Sequence, residues 1–282
     1  MKILVINDPH VSNTPPRGCR PIYTDDVFAM LEECAQYARD NQVDVTICTG
    51  DWFHSKMNTA HRIVRRSVEL LRDWPGRKLF IAGNHDLGAE GLKSVENQPL
   101  GVLFESGVCE WLKQDVFLYG DDFLVQASPA NYTDHISIDD LRVIRDNRAD
   151  WVIKVAHADL MPPRKEPYPW DVLTYDQLNV DGIDVFLNGH IHNNMGIKEV
   201  DGCMFVNLGS IGRVARDDYN YQKNMEVALI TLTKTEMKIE RVPVLRAASP
   251  DDLYYATAAP DVEIDEPMAR FARSVAKLLA VE

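Results

Sequence analysis

The chain has 282 residues, 45% hydrophobic and 26% charged, which fits a soluble globular protein built as one large α/β domain or about two smaller ones. Its 43 acidic residues outnumber 30 basic ones, and the net charge of −13 repels nucleic acid at long range, while leaving room for a local basic groove or for acidic metal ligands. The opening apolar run is too short for a signal-peptide core, no stretch approaches the length of a membrane span, and five scattered cysteines without paired spacing read as reduced thiols of a cytoplasmic protein.

In chain order, short apolar runs first alternate with helical patterns. KILVI (2–6), DVTICTG (44–50) and KLFIAG (78–83) predict strands that end in polar residues or glycine. Between the first two, Val27, Leu31, Cys34 and Ala38 mark one face of a helix over 24–40, with Thr24 placed to cap it. Ile63, Val64, Val68 and Leu71 do the same over 58–73. Strand, helix, strand, helix, strand predicts a parallel α/β sheet. From about residue 111, VFLYG, FLVQA, WVIKVAH, DVFLNGH, MFVNLGS, VALITLT and MKIERVPV predict a second sheet. Residues 246–264 have the composition of a linker. Asp265 and Pro267 then open a helix whose apolar face, Met268, Phe271, Val275, Leu278 and Leu279, is expected to pack on the body or on a partner.

The apolar strands end repeatedly in metal-binding residue types. LVINDPH ends in Asp8 and His10, whose spacing puts both on one face of an extended chain. ICTGDWFH supplies Asp51 and His54, IAGNHD supplies Asn84, His85 and Asp86, IKVAHAD supplies His157, and FLNGHIH supplies His190 and His192. The carboxyl ends of parallel strands share one sheet edge, where ligands bind, so these clusters converge. A rigid sheet holds such groups within the tolerance a metal site needs, and Gly50, Gly83 and Gly189 let the backbone turn sharply beside them. Taken singly, each piece has a bland reading, as a turn or as a hydrogen-bonded core histidine. Together they hold six of the eight histidines, a placement that chance does not produce.

In sequence order the motifs resemble those of the calcineurin-like metallophosphoesterases: D-x-H, G-D-x-x-H, G-N-H-D, a lone histidine, then G-H-x-H, over about residues 1–240. NLGS (207–210) is similar to the family's N-P-G-S strand, with Leu208 in place of proline. The GDWFH form looks most like the branch of SbcD-type double-strand-break-repair nucleases and small phosphodiesterases. The resemblance implies an α/β sandwich of two mixed β-sheets flanked by helices, a catalytic domain over 1–245, and a linker and helix over 246–282. It implies two divalent ions, one held by Asp8, His10, Asp51 and His192, the other by Asp51, Asn84, His157 and His190, with Asp51 bridging. Imidazole, carboxylate and amide ligands suit Mn, Fe, Zn or Ni better than Ca or Mg, and the lack of a thiolate argues against structural zinc; Mn²⁺ is the expectation. His85 would be catalytic without being a ligand, contacting the phosphate and assisting the leaving oxygen. Asp86 would orient its ring, and His54 would lie near the substrate phosphate or support the metal shell.

Two loops can choose the substrate. SNTPPRGCRPIY (12–23) follows the first ligands; MPPRKEPYPW (161–170) offers Arg164 and Lys165 for phosphate, and Tyr168 and Trp170 for stacking on a base. Asn84 and His54 would join them at the substrate. Arg62, Arg65 and Arg66 read as a solvated helix face. SbcD-type nucleases add a DNA-binding cap and a partner-binding tail, whereas here about 40 residues follow position 242 in an acidic chain. Long duplex DNA is therefore disfavoured, although other nucleic acid stays possible. The expectation is a phosphodiesterase of small or exposed phosphodiesters, such as cyclic nucleotides (2′,3′-cyclic ones included) or nucleic-acid ends, with some phosphomonoesterase activity. Two alternatives stay open: an SbcD-type nuclease whose partner grips DNA, and a non-catalytic interaction module like the metallophosphoesterase-like subunit of retromer. The oligomeric state is open.

Overall fold

The computed structural model describes residues 1–55, 59–133, 136–166, 168 and 172–256; the expected helix after Asp265 and the loop residue Trp170 lie outside them. The first half alternates strand and helix: β1 (Lys2–Ile6), α1 (Tyr23–Asp40), β2 (Val45–Cys48), α2 (His61–Asp73), β3 (Arg77–Phe80), α3 (Pro99–Glu105) and β4 (Glu110–Trp111). Strands then dominate: β5 (Val116–Tyr119), β6 (Leu124–Ala130), β7 (Trp151–His157), β8 (Leu160–Met161), β9 (Leu173–Thr174), β10 (Val185–Gly189), β11 (Gly196–Val200) and β12 (Cys203–Asn207). The described chain closes with α4 (Asp218–Gln222), β13 (Glu226–Leu232), β14 (Met237–Pro243) and α5 (Pro250–Leu253).

These strands form two six-stranded mixed sheets, ordered β14-β13-β1-β2-β3-β4 and β11-β12-β10-β7-β6-β5, with a separate β8-β9 pair. Each sheet has a parallel heart, β1-β2-β3-β4 in one and β12-β10-β7-β6 in the other; antiparallel pairing adds β13 and β14 on one side of the first, and β11 and β5 on the two sides of the second. The period of two in β1 shows how the layers form. Ile3 and Val5 join Val155, Leu187 and Ala228 between the sheets. Leu4 and Ile6 turn the other way, onto Phe28, Leu31 and Ile63 of the helical layer. Phe186, Phe205 and Tyr175 build a third cluster on the outer face of the second sheet.

Local details differ from expectation for identifiable reasons. Thr24 does not cap α1; the helix begins at Tyr23, and the Thr24 hydroxyl donates instead to the Ser12 carbonyl, tying the 12–23 loop down. The described part of the expected linker, 246–256, is strapped to the body. Leu253 and Tyr254 are buried, the Arg20 N–H donates to the Leu253 carbonyl at 2.8 Å, and the Tyr254 hydroxyl donates to the Ala215 carbonyl at 2.7 Å. Arg65 pairs with Glu69, and Arg66 with Asp25 and Glu32, as a solvated face does. All five cysteines are free and buried, and among the described residues no helix is long and apolar enough to cross a membrane.

Candidate metal and catalytic site

Parallel pairing brings the strand ends together. β1 leads into Asn7–His10, β2 into Thr49–His54 and β3 into Gly83–Asp86, while β7 ends at His157 and β10 runs into His190–His192. Asn7 pins the two sheets at this edge, its amide donating to Thr49 Oγ1 at 3.0 Å and to the Asn188 carbonyl at 2.8 Å.

The backbone is bent hard here. Asp8, His10, Asp51 and His190 all hold positive φ, from 44° to 72°, a region that costs non-glycine residues energy and that clusters at functional sites. Of the motif glycines, Gly50 at φ 104° is there for conformation. Gly83 is there for room: a Cβ on it would stand 2.2 Å from Asp51 Oδ1 and 2.6 Å from His157 Cε1. Gly189 is equally tight against the Thr49 carbonyl, so two of the three expected turn glycines serve close approach instead.

Two donor sets result, and they share one residue. Ligand atoms of Asp8, His10, Asp51 and His192 lie within 4.8 Å of one another, as do those of Asp51, His157 and His190. Asn84 Oδ1 joins the second set, 3.0 Å from His157 Nε2 and 3.0 Å from His190 Nδ1. Each buried carboxylate has one oxygen held and one bare. Asp8 Oδ1 accepts from the His190 N–H at 2.9 Å, and Asp51 Oδ1 from the His85 N–H at 2.8 Å. Asp8 Oδ2 and Asp51 Oδ2 accept no hydrogen bond, though both are buried. Asp51 Oδ2 lies 3.4 Å from His157 Nε2 and 3.6 Å from His10 Nε2, between the two sets. A bare carboxylate oxygen in a buried site is costly unless something positive meets it. The residues fit two divalent ions: the donors are hard or borderline, two carboxylate oxygens stand ready, and Asp51 belongs to both sets.

Burial and mutual charge shift these groups in opposite directions. Burial raises the Asp8 carboxyl to about 6. Burial also opposes ionisation of Asp51, but the neighbouring imidazoles, His157 foremost, outweigh it and hold the carboxyl well below its usual range. His157 is itself lifted to about 9, against its burial, by the charge of Asp51. Burial keeps His10, His54 and His192 neutral near pH 7, lowering His54 to about 4 and His192 to about 3; neutral imidazole is the form that ligates metal.

His54 and His85 stand beside the first set, and ring nitrogens of His10, His54 and His85 form a third compact group. His54 Nδ1 lies 3.4 Å from His10 Nδ1, behind the nitrogen that faces His192 at 2.8 Å, so His54 backs a ligand. Asp86 departs from its expected role. It does not orient the His85 ring; its carboxylate accepts the N–H groups of Gly83 and Phe53, while His85 Nδ1 meets the His54 carbonyl at 2.6 Å. Asp86 therefore ties the GNHD turn to the GDWFH loop, and burial with the charge of Asp51 lifts it to about 7.

Tyr168 also sits otherwise than a free stacking platform would. Its hydroxyl donates to the Pro162 carbonyl at 2.8 Å, and the Arg164 guanidinium lies 3.8 Å over its ring. Tyr132, unremarked in the sequence, places its ring 5.6 Å from that of His190 and 5.9 Å from that of His157. The signal was its position just past β6, a parallel strand ending at the same sheet edge.

The model of the calcineurin-like phosphoesterase family matches residues 1–194. No curated protein matches the chain. Among solved structures, a protein assigned as a 5′-nucleotidase from Staphylococcus aureus is similar with TM-score 0.56 at 13% identity, over 97% of this chain and 58% of that one. The sulfate thiohydrolase SoxB of Thermus thermophilus follows at 0.53 and 13%, over 89% and 58%. An archaeal phosphodiesterase gives 0.43 and 14%, over 86% and 100%. The chain thus spans 58% of the length of the first two, and at these identities they show a shared fold.

Proposed function

The chain belongs to the calcineurin-like phosphoesterases, metal-dependent hydrolases, and from that premise we propose a binuclear phosphodiesterase of small or exposed phosphodiesters, with some phosphomonoesterase activity. The observation that carries the binuclear reading is Asp51, one oxygen held by the His85 N–H and the other bare between two donor sets. The metals are a pair of divalent ions, Mn²⁺ first, with Fe, Zn and Ni as competitors on ligand type.

When bound, such a pair supplies Lewis acidity to a phosphoryl oxygen and clamps the displacement. This chain's residues do the rest. Asn84 gives its carbonyl oxygen to the second set, which leaves its amide N–H groups to donate to a phosphoryl oxygen. His85 keeps Nδ1–H on the His54 carbonyl, so it is from the doubly protonated ring that Nε2 delivers a proton to the leaving oxygen, returning to the neutral tautomer with its lone pair on Nε2. His54 holds the ring of His10 and stands near the incoming phosphate. Asp86 fixes the turn carrying Asn84 and His85.

The preference for small substrates rests on charge. The net charge of −13 opposes long duplex DNA, and Arg65 and Arg66 on α2 are engaged with acidic side chains. Stacking on a base falls to Trp170 and to Tyr132, since Tyr168 is engaged within its own loop. The test is a panel with Mn²⁺ at one salt concentration: phosphomonoesters, linear and cyclic mononucleotide diesters, and single- and double-stranded DNA. Highest kcat/KM on mononucleotide diesters is expected. Higher kcat/KM on duplex DNA ends, with no partner protein added, would turn the reading to a nuclease. No hydrolysis of any phosphoester by the metal-loaded protein would leave an interaction module.

A further inference from the structure

His190 uses its two ring nitrogens in opposite directions. Nδ1 faces the second donor set, 3.0 Å from Asn84 Oδ1 and 3.3 Å from His157 Nε2. Nε2 faces Asp159 Oδ1, 3.2 Å away. Strand register explains the meeting. β7 and β10 pair in parallel with His157 opposite Gly189, so the two chains leave the sheet side by side, and Asp159 and His190 both lie just past that last pair. The Asp159 backbone is pinned where it leaves β7: its carbonyl accepts the Leu173 N–H at 3.1 Å, and the next residue, Leu160, is fully buried in the β8-β9 pair. The carboxylate is thus presented from a fixed support while its side chain stays half exposed, at 51%.

We propose that Asp159 is a positioning residue for His190: by accepting the Nε2–H it fixes the tautomer that leaves the Nδ1 lone pair to the metal, and it strengthens ion binding by the set Asp51, Asn84, His157 and His190. A neutral imidazole carries one proton, and the acceptor on one nitrogen decides where the lone pair lies. A carboxylate behind a ligating histidine also raises its basicity. Two other histidines of these sets are backed differently: His157 Nδ1 meets the Thr49 carbonyl at 2.8 Å and lies 3.6 Å from Asp8 Oδ1, and His10 Nδ1 meets the His54 ring at 3.4 Å. The role rests on the binuclear reading above. It differs from that of a simple surface ion pair, which at this exposure would add little stability and leave metal affinity untouched.

The experiment compares full-length wild type, Asp159→Ala and Asp159→Asn after stripping with chelator, by calorimetric titration with Mn²⁺ alone. Thermal midpoints of the stripped proteins and ¹⁵N spectra of the histidine rings are read alongside. Wild type should bind two equivalents. Asp159→Ala should weaken one step about 10–100-fold, the range for loss of such a partner, leave the other step in place, and scarcely move the thermal midpoint. One histidine should change its tautomer population in the spectra. Asp159→Asn should restore most of the affinity, because its amide oxygen still accepts the Nε2–H. An unchanged isotherm for Asp159→Ala overturns the proposal. So does an Asp159→Asn as weak as the alanine variant, which would show that accepting the Nε2–H does not set the affinity. One tight equivalent in wild type refutes the binuclear reading and still tests Asp159 on that single step; no binding at all in wild type takes both down.

Discussion

His85 Nδ1 lies 2.6 Å from the carbonyl oxygen of His54, so the ring that follows Asn84 is aimed by the backbone of a different motif. The His85 main-chain N–H holds Asp51 Oδ1 while its side chain lies outside the two donor sets that share Asp51. His85→Ala should therefore keep both metals, because the N–H remains, and lose about 10²–10⁴-fold in kcat as a proton donor is removed. Nitrophenyl diesters, whose leaving group needs little protonation, should lose less than alkyl diesters. Metal content by elemental analysis and kcat for both substrate classes check it; a variant that loses metal would make His85 a ligand.

Asp51→Asn should be the most damaging change among the ligands. It removes charge from both sets at once, and the neutral amide leaves His157 without the partner that lifts it to about 9. We expect fewer than two metal equivalents and activity near background, whereas wild type stripped by chelator should recover with Mn²⁺. Full activity with no metal left by elemental analysis would refute the metal dependence.

The convergence of Asp8, His10, Asp51, Asn84, His157, His190 and His192 was legible because each lies at the end of an apolar strand, and parallel pairing then gathers strand ends that lie far apart in sequence. β1 and α1 fall where alternation and helical periodicity place them, as do β5, β6, β7, β10 and β12 of the second sheet; β13 and β14, expected in that sheet too, join the first instead, β13 pairing with β1, and β11 takes an edge of the second. What stayed hidden depends on pairing register and backbone detail. Asp159 meets His190 only because the paired ends of β7 and β10 leave the sheet side by side. Asp86 looked like the orienting partner of the adjacent His85, but a short 3₁₀ turn over Asn84–Asp86 carries its carboxylate inward, onto the Gly83 and Phe53 N–H groups. The strap at Leu253 and Tyr254 was masked by its polar neighbours, which a composition reading averages into a linker.

Gly83→Ala tests the packing of the site apart from its chemistry. The added methyl would enter the space between Asp51 and His157, 2.2 Å from Asp51 Oδ1 and 2.5 Å from the Asp51 backbone nitrogen, and that carboxylate oxygen is held by the His85 N–H. Overpacking of this kind costs typically about 1–3 kcal/mol. The variant should unfold at lower urea concentration and bind Mn²⁺ more weakly, although no ligand has been altered. Wild-type affinity and midpoint would mean that the GNHD turn is loose enough to move aside.

Lys223 gives the pH dependence of the fold. Its ammonium is buried, donating to Ser210 Oγ at 2.8 Å and to the Gly212 carbonyl at 3.0 Å. Burial, with the nearby charge of Arg213, lowers it to about 7 from the ordinary 10.5. Below about 7 both folded and unfolded chains carry the proton, and the full cost of burying the cation is present. Between about 7 and 10.5 the unfolded chain holds a proton that the folded one has released, so stability rises with pH, by up to about 1.4 kcal/mol per unit. Above that window the group contributes no further slope. Urea unfolding of chelator-treated wild type and Lys223→Met at pH 7, 8, 9 and 10 isolates the effect, since Lys154, lowered to about 8 by burial, and the cysteines titrate alike in both. The methionine variant loses two hydrogen bonds, a cost that does not vary with pH, so wild type should gain on it as pH rises. Parallel stability curves would show that Lys223 keeps its proton throughout.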